Sequence, residues 1–307
     1  MSEIITHIVL PTRPQPDTIV AIFLLQTFGE ESFPGVRKAI VMVDPNAAAD
    51  PGKLLLDVGG GELDHHDTEF CATELVAKKL NLIDHPALRN LIAYARRDDT
   101  EGKGTVSKDP IDRAFGLSGL IAALNKKYLE DPYQVVSTAL PLLEAHFQNA
   151  NEHYVELPKL VAQLTENGMF KSHTVHKPAR NTKVAFVITN HIGLAGYLRS
   201  NLGGNYRMVA QRRSSGHVNI LTKQNPKIDL SQIAALLRLH EANLHSIEVE
   251  DESSLFTIGN HPQVPNWYYD PATNSLLNGG VSPDAVEPTK IEWPAIKAII
   301  LRGLQGS

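Results

Sequence analysis

The alternation of apolar and polar positions divides the first eighty residues into short strand-like runs and helices. Residues 4–10 form an apolar, β-branched run that predicts a buried strand. A proline-rich turn leads to a helix over residues 19–25, and the preceding Asp17-Thr18 fits a helix N-cap. Two more strands and a helix are predicted at residues 39–43, 53–58 and 73–80. Strands that alternate with helices indicate βαβ units and a mainly parallel sheet.

The rest of the chain has a helical region followed by a second mixed region. Residues 85–164 place apolar side chains three and four positions apart, which predicts helices, and polar residues 166–182 predict a linker. Further elements are predicted as a strand at 184–188, a short helix at 193–202, a hairpin from 206–211 and 217–221, a helix at 230–239 capped by Asp229, and a final helix at 294–304. We therefore expect an α/β protein with a mainly parallel-sheet domain at 1–165 and a smaller C-terminal α/β domain at 183–307.

Length and composition are those of a globular protein with room for two domains. The chain has 307 residues, of which 42% are hydrophobic and 21% are charged. The net charge of −5 gives no general attraction to nucleic acid or membranes, so any nucleic-acid contact has to be local. The single cysteine, Cys71, excludes an internal disulfide. No signal-peptide pattern or apolar span occurs, so we expect a cytoplasmic protein without a membrane partner.

Carboxylates and imidazoles are concentrated near the predicted strand ends. The carboxyl ends of parallel strands open on one edge of the sheet, where ligands bind. The residues expected at or near that edge are Asp17, Asp44, Asp57, the triplet Asp64-His65-His66, Asp98 and Asp99. A single aspartate at a strand end is more often a cap than a ligand, but two histidines directly after an aspartate favour a site. Such oxygen and nitrogen ligands suit Mn²⁺, Fe²⁺, Co²⁺ or Zn²⁺.

The sequence around the triplet resembles the DHH phosphoesterase superfamily. Residues 56–60 (Leu-Asp-Val-Gly-Gly) and 63–67 (Leu-Asp-His-His-Asp) resemble its second and third motifs, and residues 71–76 match the helix that follows them there. The Asp-Val-Gly-Gly form is similar to that of the exonuclease-like melanocyte-proliferating-gene family. Residues 115–121 also resemble the middle region of that family. The resemblance covers about residues 4–150.

The resemblance implies a role for each residue of these motifs. It makes Asp57 the carboxylate that bridges two metals and His65 a ligand of one of them. It makes His66 the catalytic contact to the scissile phosphate and Asp64 the group that orients a histidine. The implied cofactor is a divalent metal, which we expect to be Mn²⁺, as one ion or two.

The first motif of this chain departs from the family pattern. Arg13 stands where the family has a histidine ligand, and Ile19 stands where it has a second aspartate. Arginine stays protonated and isoleucine offers no ligand atom. The family has one more aspartate in a fourth motif, which here is Asp98 or Asp99. This aspartate and Asp17 would complete the set of metal ligands. Arg13 would instead bind the substrate phosphate through its two parallel N–H groups.

A run in the C-terminal half loosely resembles the substrate domain that accompanies DHH domains. Arg212, Arg213 and Ser214 lie between two predicted strands, where the family has an arginine–serine loop that binds phosphate or a nucleic-acid backbone. Paired arginines beside a serine suit an anion. A solvated hairpin turn is the alternative interpretation of this loop.

Two functions remain open on this basis. The first is a metal-dependent phosphoesterase that acts on a nucleotide, an oligonucleotide or a related phosphate ester. Its partner would be a phosphate-containing small molecule or a short single-stranded nucleic acid. A homodimer is one option for the assembly of the protein. The second is a non-catalytic DHH-type protein that binds a nucleotide or nucleic acid without hydrolysis, as the altered first motif suggests. A pyrophosphatase ranks last, because it demands an intact first motif.

Overall fold

The computed structural model describes residues 3–102, 107–176, 181–279 and 285–306. The chain divides into two compact units, Met1–Val155 and Glu156–Ser307, referred to below as the N-terminal and C-terminal units. Each contains a β-sheet and helices, so the predicted α/β class is confirmed. None of the helices within those described ranges is both long enough and apolar enough to cross a bilayer.

The sheet of the N-terminal unit has three parallel strands, as predicted. They are β1 (His7–Leu10), β2 (Ile40–Val43) and β3 (Lys53–Leu55), in the order β2-β1-β3. The strand predicted over residues 53–58 is shorter in the structure, because the backbone of Asp57 takes a positive φ of 60° that a strand cannot contain. The carboxyl ends of all three strands lie at one edge.

Six α-helices accompany this sheet in the described part of the N-terminal unit. They are α1 (Pro16–Phe28), α2 (Ala72–Lys79), α3 (Arg89–Thr100), α4 (Pro110–Phe115), α5 (Leu117–Lys127) and α6 (Pro132–Asn151). The prediction that Asp17 caps α1 is wrong, because the helix begins at Pro16 and its N-cap is Gln15. Proline is favoured at the first helical position, where its missing N–H costs nothing. Asp17 therefore lies inside the first turn.

Helix α1 is the centre of the core of the N-terminal unit. Every residue from Pro16 to Leu25 is buried, and the helix contacts α2, α3 and α6. A helix that is apolar on all sides is covered on all sides. The acidic first turn of α1 is therefore attached to the most enclosed element of this unit.

The C-terminal unit contains a mixed six-stranded sheet in the order β4-β5-β6-β7-β9-β8. Its strands are β4 (Phe170–Val175), β5 (Thr182–Ile188), β6 (Met208–Arg212), β7 (Val218–Thr222), β8 (Tyr268–Asp270) and β9 (Ser275–Leu277). Its helices are α7 (Leu157–Glu166), α8 (Leu194–Arg199), α9 (Ser231–Leu244) and α10 (Trp293–Gly306). The predicted hairpin is confirmed as the antiparallel pair β6 and β7.

The C-terminal unit differs from the sequence expectation in two ways. The segment predicted as a linker, residues 166–182, contains β4, which pairs antiparallel with β5. The unit is also nearly as large as its N-terminal neighbour, because the division falls at Val155 within the region predicted as helical. Its core includes the fully buried Trp267 and Arg238, whose guanidinium donates to backbone carbonyls such as those of Leu255 and Thr257.

Candidate metal centre

Asp57 lies at the end of β3, where the chain leaves the sheet. Its N–H donates to the carbonyl of Leu63 at 3.0 Å, which closes the loop that connects β3 to the histidine pair. The hydroxyl of Thr18 donates to Asp57 Oδ2 at 2.9 Å and fixes the carboxylate. Only 6% of Asp57 is exposed, and this burial raises the pKa of its carboxyl group. A strained, buried carboxylate at a strand end is a feature typical of functional sites.

The glycine run after Asp57 allows the loop to turn tightly. Gly59 has a φ of +76°, and a Cβ atom there would lie 2.8 Å from the carbonyl oxygen of Ala47. No other residue type fits this position without displacing the backbone. The N–H of Gly60 donates to Asp64 Oδ2 at 2.7 Å, so the run also binds the first residue of the triplet.

Asp64 holds the second histidine of the triplet. Its Oδ1 lies 2.5 Å from Nδ1 of His66 and also accepts the His66 N–H at 3.2 Å. Burial acts to raise the pKa of Asp64, but the hydrogen bonds from His66 and Gly60 outweigh it and hold the pKa below the usual value. The same carboxylate raises the pKa of His66. The His66 side chain remains 70% exposed, so a fixed imidazole faces solvent.

His65 lies between two carboxylates. Its Nε2 is 2.8 Å from Asp57 Oδ1, and its Nδ1 is 3.8 Å from Asp99 Oδ2. Within the described ranges, Asp57 Oδ1 is buried and accepts no hydrogen bond, so the short contact with His65 lacks hydrogen-bond geometry. A buried carboxylate oxygen without a donor is costly, and a cation would satisfy it.

Asp17 adds a third carboxylate from the first turn of α1. Its Oδ2 accepts the N–H of Ala72 at 3.3 Å, and its carbonyl accepts the hydroxyl of Thr73 at 2.5 Å, so the start of α2 fixes its position. Burial raises the pKa of Asp17 to about 6, and the nearby charges of Asp57 and Asp99 act in the same direction.

These side chains form two overlapping groups that fit a metal ion. One contains Asp57, His65 and His66, and the other contains Asp17, His65 and Asp99; within each group the candidate ligand atoms lie within 4.8 Å of one another. The donors are oxygens and imidazole nitrogens, a set that suits first-row divalent metals. Together with the unsatisfied Oδ1 of Asp57, this donor set fits the divalent cofactor expected from the sequence.

Besides Asp64, three sequence candidates from this unit lie outside both groups. Asp98 accepts a hydrogen bond from Ser118, so of the two neighbouring aspartates on α3 it is Asp99 that joins the centre. Asp44 Oδ1 accepts the N–H of Asn46 at 3.0 Å, which is the role of a cap. Arg13 lines a cavity of about 500 Å³ together with Asp98 and Ser118.

The arginine–serine loop lies in the C-terminal unit, at the turn between β6 and β7. Arg212 is the last residue of β6, and Arg213 follows it. The N–H of Ser214 donates to Asn190 Oδ1 at 2.9 Å, and Asn190 Nδ2 donates back to the Ser214 hydroxyl at 2.8 Å. No sequence pattern pointed to this partner, because Asn190 is 24 positions away.

Thr18 and Thr73 are the other residues that the sequence interpretation missed. Both are fully buried hydroxyls that hold site carboxylates or their backbone. Thr18 directly follows Asp17, and a threonine within an otherwise apolar helix is the one signal that pointed to it.

Comparison with known proteins adds little to this geometry. No family model and no curated protein matches the chain. A crystal structure of an uncharacterized protein from Helicobacter pylori G27 aligns over 98% of this chain and 99% of that one, at 12% identity and a TM-score of 0.24. A likeness at that level carries no argument about fold or function.

Proposed function

We propose that the N-terminal unit is a metal-dependent phosphoesterase of the DHH type, acting on a nucleotide, an oligonucleotide or a related phosphate ester. The observation that carries the proposal is the convergence of five ligand side chains from separate parts of the chain. They come from the first turn of α1, the end of β3, the loop before α2 and the end of α3: Asp17, Asp57, His65, His66 and Asp99. Three carboxylates that crowd together and are partly buried repel one another, and a cation relieves that repulsion.

The ligands divide between two positions that share His65. Asp57 and His66 would hold a cation together with His65 at one position, and Asp17 and Asp99 would do so at the other. Because a neutral imidazole has one lone pair, His65 would be a ligand of only one ion. When bound, a divalent cation such as Mn²⁺ supplies Lewis-acid activation of the phosphoryl group and of the attacking water.

The surrounding residues restrict how the ligands can move. Thr18 prevents rotation of the Asp57 carboxylate by donating to Oδ2, which leaves Oδ1 facing His65. Asp64 occupies Nδ1 of His66, so Nε2 is the nitrogen of this exposed imidazole that remains, either as a ligand of the cation or, as the resemblance implies, as the contact to an oxygen of the substrate. Such outer contacts fix the orientation of ligands and of groups that bind substrate.

Hydrolysis of bis(p-nitrophenyl) phosphate and of short oligonucleotides tests the proposal. We expect Mn²⁺-dependent activity in the wild-type protein and a loss of at least about a hundredfold in Asp57→Ala and in His65→Ala. Activity that is unchanged in both variants would falsify the proposal.

The alternative is a DHH-type protein that binds a nucleotide or nucleic acid without cutting it. Two observations favour it: Ile19, at the position of the family's second aspartate, is fully buried in the core, and Arg13 lines a cavity instead of joining the ligands. Elemental analysis separates the two functions. One or two metal ions per chain support the phosphoesterase, while no metal and no activity support the non-catalytic protein.

A further inference from the structure

Two cavities of the N-terminal unit meet at Ser118 and carry four cationic side chains. The first, of about 500 Å³, is lined by Arg13 and Lys126 among other residues. The second, of about 440 Å³, is lined by Arg97 and Arg113. These two cavities and their four cations are called the cationic strip below. Its residues lie on the segment before α1 and on α3, α4 and α5.

The cations of the strip are exposed and available to an anion. None of the four makes an ion pair with a carboxylate of the described residues. Two carboxylates also lie in the cavity walls: Asp98, which is 3% exposed and accepts a hydrogen bond from Ser118, and Asp112, which accepts one from Ser107. The four cations outnumber them, so the walls keep an excess of positive charge. In a chain with a net charge of −5, this strip is a local positive surface.

An exposed aromatic ring lies in the same surface. Phe115, at the end of α4, is 73% exposed, and Ile111 one turn earlier is 66% exposed. Both line the second cavity beside Arg97 and Arg113. An exposed aromatic ring beside cations is a combination that binds single-stranded nucleic acid: a base stacks on the ring and phosphates contact the cations.

The strip adjoins the candidate metal centre through the chain itself. Pro16 lines the first cavity and is followed by Asp17, and Asp98 lines it and is followed by Asp99. Neighbouring Cα atoms are about 3.8 Å apart, so the first cavity and the ligand groups are formed by adjacent residues of α1 and of α3.

We propose that the cationic strip binds the backbone of single-stranded nucleic acid, with Phe115 stacked against a base, and leads the strand to the metal centre. The proposal deepens the proposed function and rests on it: it makes the substrate an oligonucleotide and not a mononucleotide. Charge and the exposed ring favour this occupant over an acidic peptide, which would use the arginines but gain no base stacking from Phe115.

Fluorescence anisotropy with the metal-free protein tests the strip separately from hydrolysis. The probe is fluorescein-labelled octathymidylate, measured in EDTA against the wild type, the double variant Arg97→Ala/Arg113→Ala and Phe115→Ala. Arg89→Ala on the same helix α3, outside both cavities, and Phe256→Ala in the C-terminal unit are the matched controls. All of these side chains are at least partly exposed, so we expect the variants to fold.

We expect the double variant to bind at least about tenfold more weakly. The plot of log K against log salt should become less steep by about 1.4, because two phosphates are no longer neutralised and each contributes about 0.7 to the magnitude of the slope. Phe115→Ala should bind about tenfold more weakly with the slope unchanged, since stacking does not depend on salt. Both controls should bind as the wild type does, and dithymidylate should bind more weakly than the octamer.

Equal binding by the double variant and Arg89→Ala overturns the inference, even if bis(p-nitrophenyl) phosphate is hydrolysed. Labelled octaglutamate that binds as tightly as the octamer also overturns it and identifies a surface for acidic proteins. If the strip variants weaken binding as expected but no Mn²⁺-dependent hydrolysis occurs, the strip stands and the phosphoesterase proposal fails.

Discussion

Nε2 of His65 lies 2.8 Å from Oδ1 of Asp57, and that oxygen accepts no hydrogen bond from any residue in the described ranges. Asp57 is held in place by Thr18, and the chain between Asp57 and His65 is held by the bond from Gly60 to Asp64. The two side chains thus face each other because the backbone places them there. Such preorganisation is what a ligand pair needs before its cation arrives.

The Asp57→Asn variant separates the stability of the centre from its metal affinity. The amide oxygen can still accept from Thr18, while the charge that burial disfavours is removed. We expect a melting temperature in EDTA above that of the wild type, and Mn²⁺ affinity at least about tenfold lower. The measurements are calorimetry and metal titration; retained affinity with a lower melting temperature would contradict this expectation.

The raised pKa of Asp17 predicts opposite pH trends for stability and metal binding. Since its folded pKa is about 6 and the ordinary pKa of an aspartate is 3.8, the folded state holds an extra proton between these values. The free energy of unfolding of the metal-free protein should therefore fall as pH rises from about 4 to about 6, by about 3 kcal/mol for this group. Mn²⁺ affinity should rise over the same range, because the ion displaces that proton.

Urea unfolding in EDTA at several pH values measures the first trend, and Mn²⁺ titration measures the second. Asp17→Asn should flatten the stability profile, while Asp84→Asn, an exposed carboxylate on the surface, should leave it as in the wild type. A profile that keeps its slope in Asp17→Asn argues against the assignment of the proton to this residue.

Removal of the Thr18 hydroxyl should loosen the centre without touching a ligand directly. Thr18→Val keeps the size of this fully buried side chain but loses the hydrogen bond to Asp57 Oδ2. We expect Mn²⁺ affinity to fall by about tenfold. Thr18→Ser keeps the hydroxyl and is the control; equal affinity in the two variants would show that the bond has no positioning role.

Gly59 and Gly60 form a matched pair for testing the loop. Both have positive φ, but only at Gly59 would a Cβ meet backbone, at 2.8 Å from the Ala47 carbonyl, whereas none lies within 4 Å at Gly60. Gly60→Ala should therefore cost about 1 kcal/mol of unfolding free energy, and Gly59→Ala should cost more, with lower Mn²⁺ affinity as well. Urea unfolding that ranks the two in the reverse order contradicts the structure.

Sequence was sufficient to place the candidate ligands together where motifs and strand ends coincide. A parallel sheet and a histidine pair shortly after a strand place Asp57 and the triplet near one edge without any coordinates. Sequence could not choose between Asp98 and Asp99, because successive helical residues point about 100° apart and the rotation of α3 depends on packing. In the structure it is Asp99, and not Asp98, that belongs to a group able to hold a metal ion.

Two other differences have local physical causes. The segment that contains β4 has the pattern of a linker because four of its six residues are exposed, so it shows little alternation of buried and exposed positions. It is nevertheless a strand, because it pairs at the sheet edge with the apolar β5. The start of α1 differs from the prediction because Pro16 belongs to the helix, where proline is favoured at the first position, and not to the preceding turn.

Helix α1 joins the candidate centre to the interior of its unit, since Asp17 is followed by buried residues up to Leu25. We expect the amide hydrogens of such an element to exchange with solvent only through global opening. An ion bound at Asp17 would thereby be coupled to cooperative unfolding, and its free concentration would set the midpoint of that transition. In a cell, the occupancy of the centre would thus govern how long the folded chain survives proteolysis.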